Sequence, residues 1–224
     1  MTTQNMSFER PFTFVFKDPN WVKKILMGGL YNLLSIIVIG SLVVMGYQKR
    51  FFLALLKDEN AQMPEIEFGS DLAAGLPVLG IFLCYWLPAM LLSAIPCLGI
   101  VFRMVLPVVL AGVVPIALTR FFVTDRFSAA FEFREIYEFI RANLNNSALF
   151  LGIALVSGMA AGLGIIACVV GIAFTGFWAL NVNTVALADL HRLALQAPSA
   201  QPSPAAAPPA SPPPASPPPS EPSP

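Results

Sequence analysis

Charge is what this sequence has least of. Only 12% of its 224 residues are Asp, Glu, Lys or Arg and 56% are hydrophobic. A soluble domain carries about a quarter charged residues. The deficit, with several apolar runs of about 20 residues or more, predicts a multi-pass membrane protein. An excess of either sign is missing too: 13 Lys and Arg balance 13 Asp and Glu. Without a basic footprint no nucleic-acid partner is expected. Histidine occurs once and cysteine three times, as Cys84, Cys97 and Cys168, each within an apolar run. That pattern fits neither a disulfide framework nor a zinc site, and the cysteines read as small buried hydrophobes. The sequence also lacks His-Glu-x-x-His, Gly-x-Ser-x-Gly, a phosphate loop and a carboxylate pair within an apolar run. No enzyme activity and no cofactor are therefore expected. The first apolar run has no cleavage site after it and is expected to stay in the mature chain.

What is present is a series of long apolar stretches. Ser147 to Leu190 has no charge until Asp189, and its length is about twice one bilayer crossing. It must cross, turn and return, and the turn falls between Leu163 and Gly171. Leu76 to Ile95 and Ile100 to Phe122 form a second such pair around Pro96-Cys97-Leu98-Gly99, kinked at Pro88, Pro107 and Pro115. Ile25 to Tyr47 admits two readings. It is one span, or it is a shallow hairpin of two short helices, Trp21 to Ile36 and Gly40 to Leu56, turning within Ser35 to Gly40.

The segments between are polar. Residues 1–20 form a mixed lead whose alternating aromatics suit the headgroup level, and Asp18-Pro19 reads as a helix start with Asp18 as N-cap. Lys57 to Leu72 is acidic and extended near Pro64. In Thr124 to Asn146, Phe133, Ile136, Tyr137, Ile140 and Leu144 recur at helical spacing opposite Arg134, Glu135, Glu138 and Arg141. This amphipathic helix faces either the bilayer surface or the protein's own bundle. Residues 197–224 contain 13 prolines among Ala and Ser and one charge, Glu221. They cannot form a core and are expected to be disordered with polyproline II character, as a spacer or as a ligand for a proline-binding module.

Lys and Arg choose between the topologies. A single first span scatters them over both sides. Three hairpins return every charged segment to one face and leave short turns without Lys or Arg on the other. Only Arg103 departs, one turn inside its helix. The expected architecture is an all-α polytopic membrane helical bundle of three hairpins, residues 21–196, with amphipathic interfacial helices. The first hairpin either crosses fully or is re-entrant. Both termini are expected in the cytoplasm, the chain in the cell membrane.

The order of Phe16-Lys17-Asp18-Pro19-Asn20-Trp21, Lys23-Lys24-Ile25-Leu26-Met27-Gly28-Gly29-Leu30, Gly46-Tyr47, Lys49-Arg50, Pro64-Glu65-Ile66-Glu67-Phe68-Gly69, Tyr85-Trp86-Leu87-Pro88 and Arg126-Phe127-Ser128-Ala129-Ala130-Phe131-Glu132-Phe133 resembles a family of integral membrane proteins, domain of unknown function 4013. The resemblance covers roughly Phe12 to Arg192. It implies a bacterial or archaeal membrane protein and brings no assigned activity. Ile66 stands where members often have an aromatic, Ser35 to Gly40 lacks a frequent proline, and the Pro-rich tail lies outside the family pattern.

Few side chains then remain as site candidates. Arg103 either snorkels to the uncharged-loop face or takes a buried structural or substrate-facing role. Asn181 and Asn183, like Asn32 and Tyr31, read as interhelical hydrogen-bonding groups or a polar substrate site. His191, beside Asp189 and Arg192, fits a helix C-terminus. Ala154, Gly158 and Gly162, four apart, read as a helix-packing stripe, within the chain or between copies in a homo-oligomer. The functional expectation is a non-enzymatic membrane scaffold engaging a protein partner at its charged face or tail. The alternative is a small transporter or channel.

Overall fold

The structure, a computed structural model, describes residues 6–34, 38–93, 95, 99–164 and 168–196. The expected turns at Ser35–Gly40, at residues 96–99 and after Leu163 lie partly outside the described residues, and the expected disorder of 197–224 lies wholly outside them. The described residues form helices and no strands: α1 (Glu9–Lys17), α2 (Trp21–Leu33), α3 (Ile39–Lys57), α4 (Phe68–Ser93), α5 (Gly99–Thr124), a 3-10 turn (Phe127–Phe131), α6 (Phe133–Ala142), α7 (Leu144–Leu163) and α8 (Cys168–Gln196). The polytopic all-α bundle is as expected, with hairpins α2–α3, α4–α5 and α7–α8.

Five helices, α3, α4, α5, α7 and α8, are long and apolar enough to cross a membrane. α2 has 13 residues, about 20 Å at 1.5 Å per residue, short of a hydrocarbon core of about 30 Å. The first apolar run is therefore two helices, not one span. α8 is the central element, packed against α1, α2, α3, α5 and α7. Its buried face, Phe177, Asn181, Val182, Val185, Ala186 and Leu190, meets Tyr47, Phe51 and Phe52 of α3 and Phe121 and Phe122 of α5. Aromatic rings fill the centre, with Tyr47–Phe177 centroids 5.3 Å apart and Phe52–Phe122 5.5 Å apart.

The closest helix pair is α3–α4. A Cβ on Gly46 would stand 1.8 Å from the Asp71 carbonyl oxygen, and one on Gly75 1.9 Å from that of Leu42. Four-residue steps in opposite directions, 46 with 71 and 42 with 75, define an antiparallel crossing in which backbone meets backbone. α2 lies on α8 with glycines seating side chains instead, Gly28 under the Phe177 ring and Gly29 under Phe174.

Several local expectations are corrected. α4 begins at Phe68, not Leu76, because Asp71 is held inside: its carboxylate accepts from Arg50 at 2.8 Å and from the Glu67 backbone N–H at 2.8 Å. Asp18 does not cap α2. The helix starts at Trp21, and Asp18 Oδ1 accepts the Asn20 N–H at 2.8 Å while Oδ2 pairs with Lys24 at 2.8 Å. The aromatic lead is α1, with Phe14 and Val15 buried and Phe8 and Phe16 exposed. The amphipathic helix ends at Ala142, so Leu144 belongs to α7. Within α6, Ile136 is buried while Phe133 and Tyr137 point outward, so the helix uses both bundle and surroundings. Cys84 is exposed on α4 rather than buried.

Candidate functional site

Helix polarity sets the charge distribution. α2, α4 and α7 begin, and α3, α5 and α8 end, at the same end of the bundle, joined there by α1, the 58–67 segment and α6. Charged side chains far apart in sequence consequently meet. Arg10 of α1 pairs with Asp189 of α8 and donates to the Glu59 carbonyl at 2.7 Å. Arg192 pairs with Glu59. Lys49 of α3 pairs with Asp125 at 2.5 Å and lies 4.6 Å from the centre of the Phe121 ring. Arg50 pairs with Glu67 at 2.6 Å and with Asp71. Arg120 pairs with Glu132 at 2.5 Å, and Arg126 with the same carboxylate at 2.9 Å. The network ties the ends of α1, α3, α4, α5 and α8 into one layer.

The most enclosed pairs are Lys24–Asp18 and Arg50–Asp71, whose acids are almost fully covered. The rim is open. Glu59 is held below the usual carboxylate range, first by its hydrogen bond from Arg192 and then by the charges of Arg192 and Arg10. Glu67 is held down by the Ser70 hydroxyl and by Arg50. A hollow of ≈ 380 Å³ opens in this layer, lined by Ser7, Arg10, Glu59, Asp189, Arg192 and Gln196.

The candidate polar residues in the spans act between helices. Asn181, fully buried, accepts from the Tyr47 hydroxyl at 2.8 Å and donates to the Phe177 carbonyl at 2.8 Å. Asn183 accepts from Ser157 of α7 at 3.0 Å, and Asn32 of α2 donates to the Ala173 carbonyl of α8 at 2.9 Å. These bonds tie α8 to three neighbours. The two residues Asn181 and Asn183 thus point to different helices and do not form one site with Arg103. His191 lies inside α8, which continues to Gln196, between the rings of Phe139 (6.0 Å, stacked) and Phe52 (6.0 Å, edge-on). It packs an aromatic cluster rather than capping a helix end.

The two glycines of the small-residue stripe do not pack against a described residue. Gly158 and Gly162 are exposed and nothing stands within 4 Å of a Cβ placed on either; Ala154 is half-buried. α7 instead turns Ile153 and Ser157 toward the bundle. The close approaches use Gly28, Gly29, Gly46 and Gly75, and also Gly164, four residues after Ala160, where a Cβ would stand 2.8 Å from the Gly171 backbone of α8.

Arg103 stands apart. It is exposed at the mouth of a cleft of ≈ 250 Å³ between α4 and α5, with Trp86, Ser93, Leu106 and Pro107 among the lining residues. It makes no hydrogen bond or ion pair with a described residue.

A helical bundle with five membrane-length apolar helices and, Arg103 apart, its described charges gathered at one end defines a multi-pass integral membrane protein. Residues 30–175 match the family of proteins of unknown function catalogued as domain of unknown function 4013, and the chain belongs to it. No curated protein and no solved structure is significantly similar to the chain.

Proposed function

We propose that this is a non-enzymatic protein of the cell membrane that holds a protein partner against its charged face, with residues 197–224 contributing to capture. The observation that carries this reading is the open polar hollow between Ser7, Arg10, Glu59, Asp189, Arg192 and Gln196. Its lining includes Gln196, the last residue of α8, directly before the Pro-rich segment in sequence. Dense aromatic filling around Tyr47, Phe52, Phe122 and Phe177 further favours a scaffold over a pathway through the bundle. Since every Lys and Arg except Arg103 lies in a segment that returns to the charged end, the positive-inside rule assigns that end, with both termini, to the cytoplasm.

Photoreactive residues placed at Ser7 and Gln196 test this in intact cells. A discrete protein adduct at both positions, weakened when 197–224 is removed, is expected. Adducts at neither position sink the proposal. The rival reading, a small transporter or channel, draws on Pro77 and Pro88 in α4, Pro107 and Pro115 in α5, and the cleft at Arg103. Proteoliposome swelling with small neutral and charged solutes that Arg103→Ala abolishes would replace the scaffold with that rival.

A further inference from the structure

Arg103 is the one described cation placed at the far end of the bundle. Along α5 it precedes Thr124 by 21 residues, about 32 Å of helix, which matches a hydrocarbon core of about 30 Å. If Thr124 and Asp125 mark one headgroup level, Arg103 marks the other. At the charged end Arg10, Lys24, Lys49, Arg50, Arg120 and Arg192 each have a carboxylate. All described carboxylates lie at that end, so none reaches Arg103.

A guanidinium at a membrane boundary needs a counter-charge, because leaving it unpaired beside hydrocarbon is costly. Its planar fork suits a phosphate through two parallel N–H···O bonds. The cleft below it is apolar. Ala89 and Met90 of α4 face Leu106 and Leu110 of α5, with Trp86 stacked on Phe82 at 5.4 Å. Ser93 adds no donor, since its hydroxyl is given to the Ala89 carbonyl at 2.8 Å. The site therefore offers one cation at the headgroup level and a hydrocarbon-lined slot running toward the bilayer centre. That is the chemistry of a phospholipid, and a net negative one completes the neutralisation.

We propose that the α4–α5 cleft binds an anionic phospholipid, its phosphate on Arg103 and one acyl chain in the slot. Trp86 provides the readout. In a Trp21→Phe, Trp178→Phe background it is the sole tryptophan, and acyl chains carrying bromine quench it on contact. Brominated phosphatidylglycerol is titrated against brominated phosphatidylcholine in reconstituted vesicles. Quenching at a lower mole fraction of phosphatidylglycerol is expected, with the preference reduced about tenfold in Arg103→Ala, the size of a lost charge-assisted pair. Arg103→Lys keeps the charge without the fork, so an intermediate preference is expected; its elution as the same species guards against misfolding. Equal quenching by the two lipids, or a preference that survives Arg103→Ala, overturns the proposal. So does loss of the preference on adding inorganic phosphate, which would make the site one for a free anion.

Discussion

Gly46 and Gly75 are set apart from the other helical glycines by what stands opposite them, which is backbone. A ring can rotate out of the way of a new methyl group, but a carbonyl held in a helix cannot. Gly46→Ala is expected to destabilise the protein by about 2 kcal/mol, overpacking outweighing the gain in helix propensity. Gly158→Ala, open on all sides, should be neutral or slightly stabilising. Loss of far-ultraviolet ellipticity during denaturant titration in detergent compares the two. Arg50–Asp71 is the second determinant at this scale. Asp71→Ala leaves Arg50 half-buried with Glu67 and the Glu65 carbonyl. The expected loss is about 3 kcal/mol, the lower end for a broken buried pair, by the same titration. Removing the Tyr47 hydroxyl, as Tyr47→Phe, should cost less, about 1 kcal/mol.

Among the elements, the α2–α3 hairpin is the informative one. Its length pattern is legible in the sequence, because Lys49 and Arg50 cannot lie beyond the bilayer without scattering the positive charges. What periodicity does not reveal is that α2 compensates for its shortness by laying Gly28 and Gly29 against two phenylalanines. The topology is checked by impermeant thiol labelling in a background without Cys84, Cys97 and Cys168. Asn60→Cys and Asn145→Cys should be labelled from one and the same side, and Val38→Cys should not be labelled from that side. Labelling of the first two from opposite sides would contradict the shared face. α4 shows why helix starts are poorly legible: an acidic, glycine-bearing stretch reads as loop until Asp71 is seen to be buried against the half-buried Arg50 guanidinium. α6 is ambiguous in sequence for a related reason. Its single apolar face is wider than the bundle covers, and only packing separates Ile136 from Phe133 and Tyr137.

For the molecule as a whole, the gathered charge layer makes stability depend on pH from the acid side. Glu59 and Glu67 are held below the carboxylate value of 4.5 in the folded state. A depressed folded value means that their contribution is complete above the unfolded value and is lost as pH falls through the folded one. Melting temperature in detergent should stay level from neutral pH down to about 5 and then fall below about 4.5. Glu59→Gln should flatten part of that fall. A flat profile into strongly acidic solution would mean that the rim pairs add nothing. The site at this scale is partly legible in the sequence, where Arg103 stands out as an isolated charge. The hollow near Gln196 is not, since it assembles residues from both ends of the chain.

The Arg50–Asp71 pair also has a consequence for synthesis. The guanidinium leaves the ribosome 21 residues ahead of its acid, and the glycine seat at position 46 waits for the same stretch of α4. The first hairpin is thus unfinished until α4 has been made. The α2 face stays open longer still, until α8 supplies Phe174 and Phe177 to cover Gly28 and Gly29.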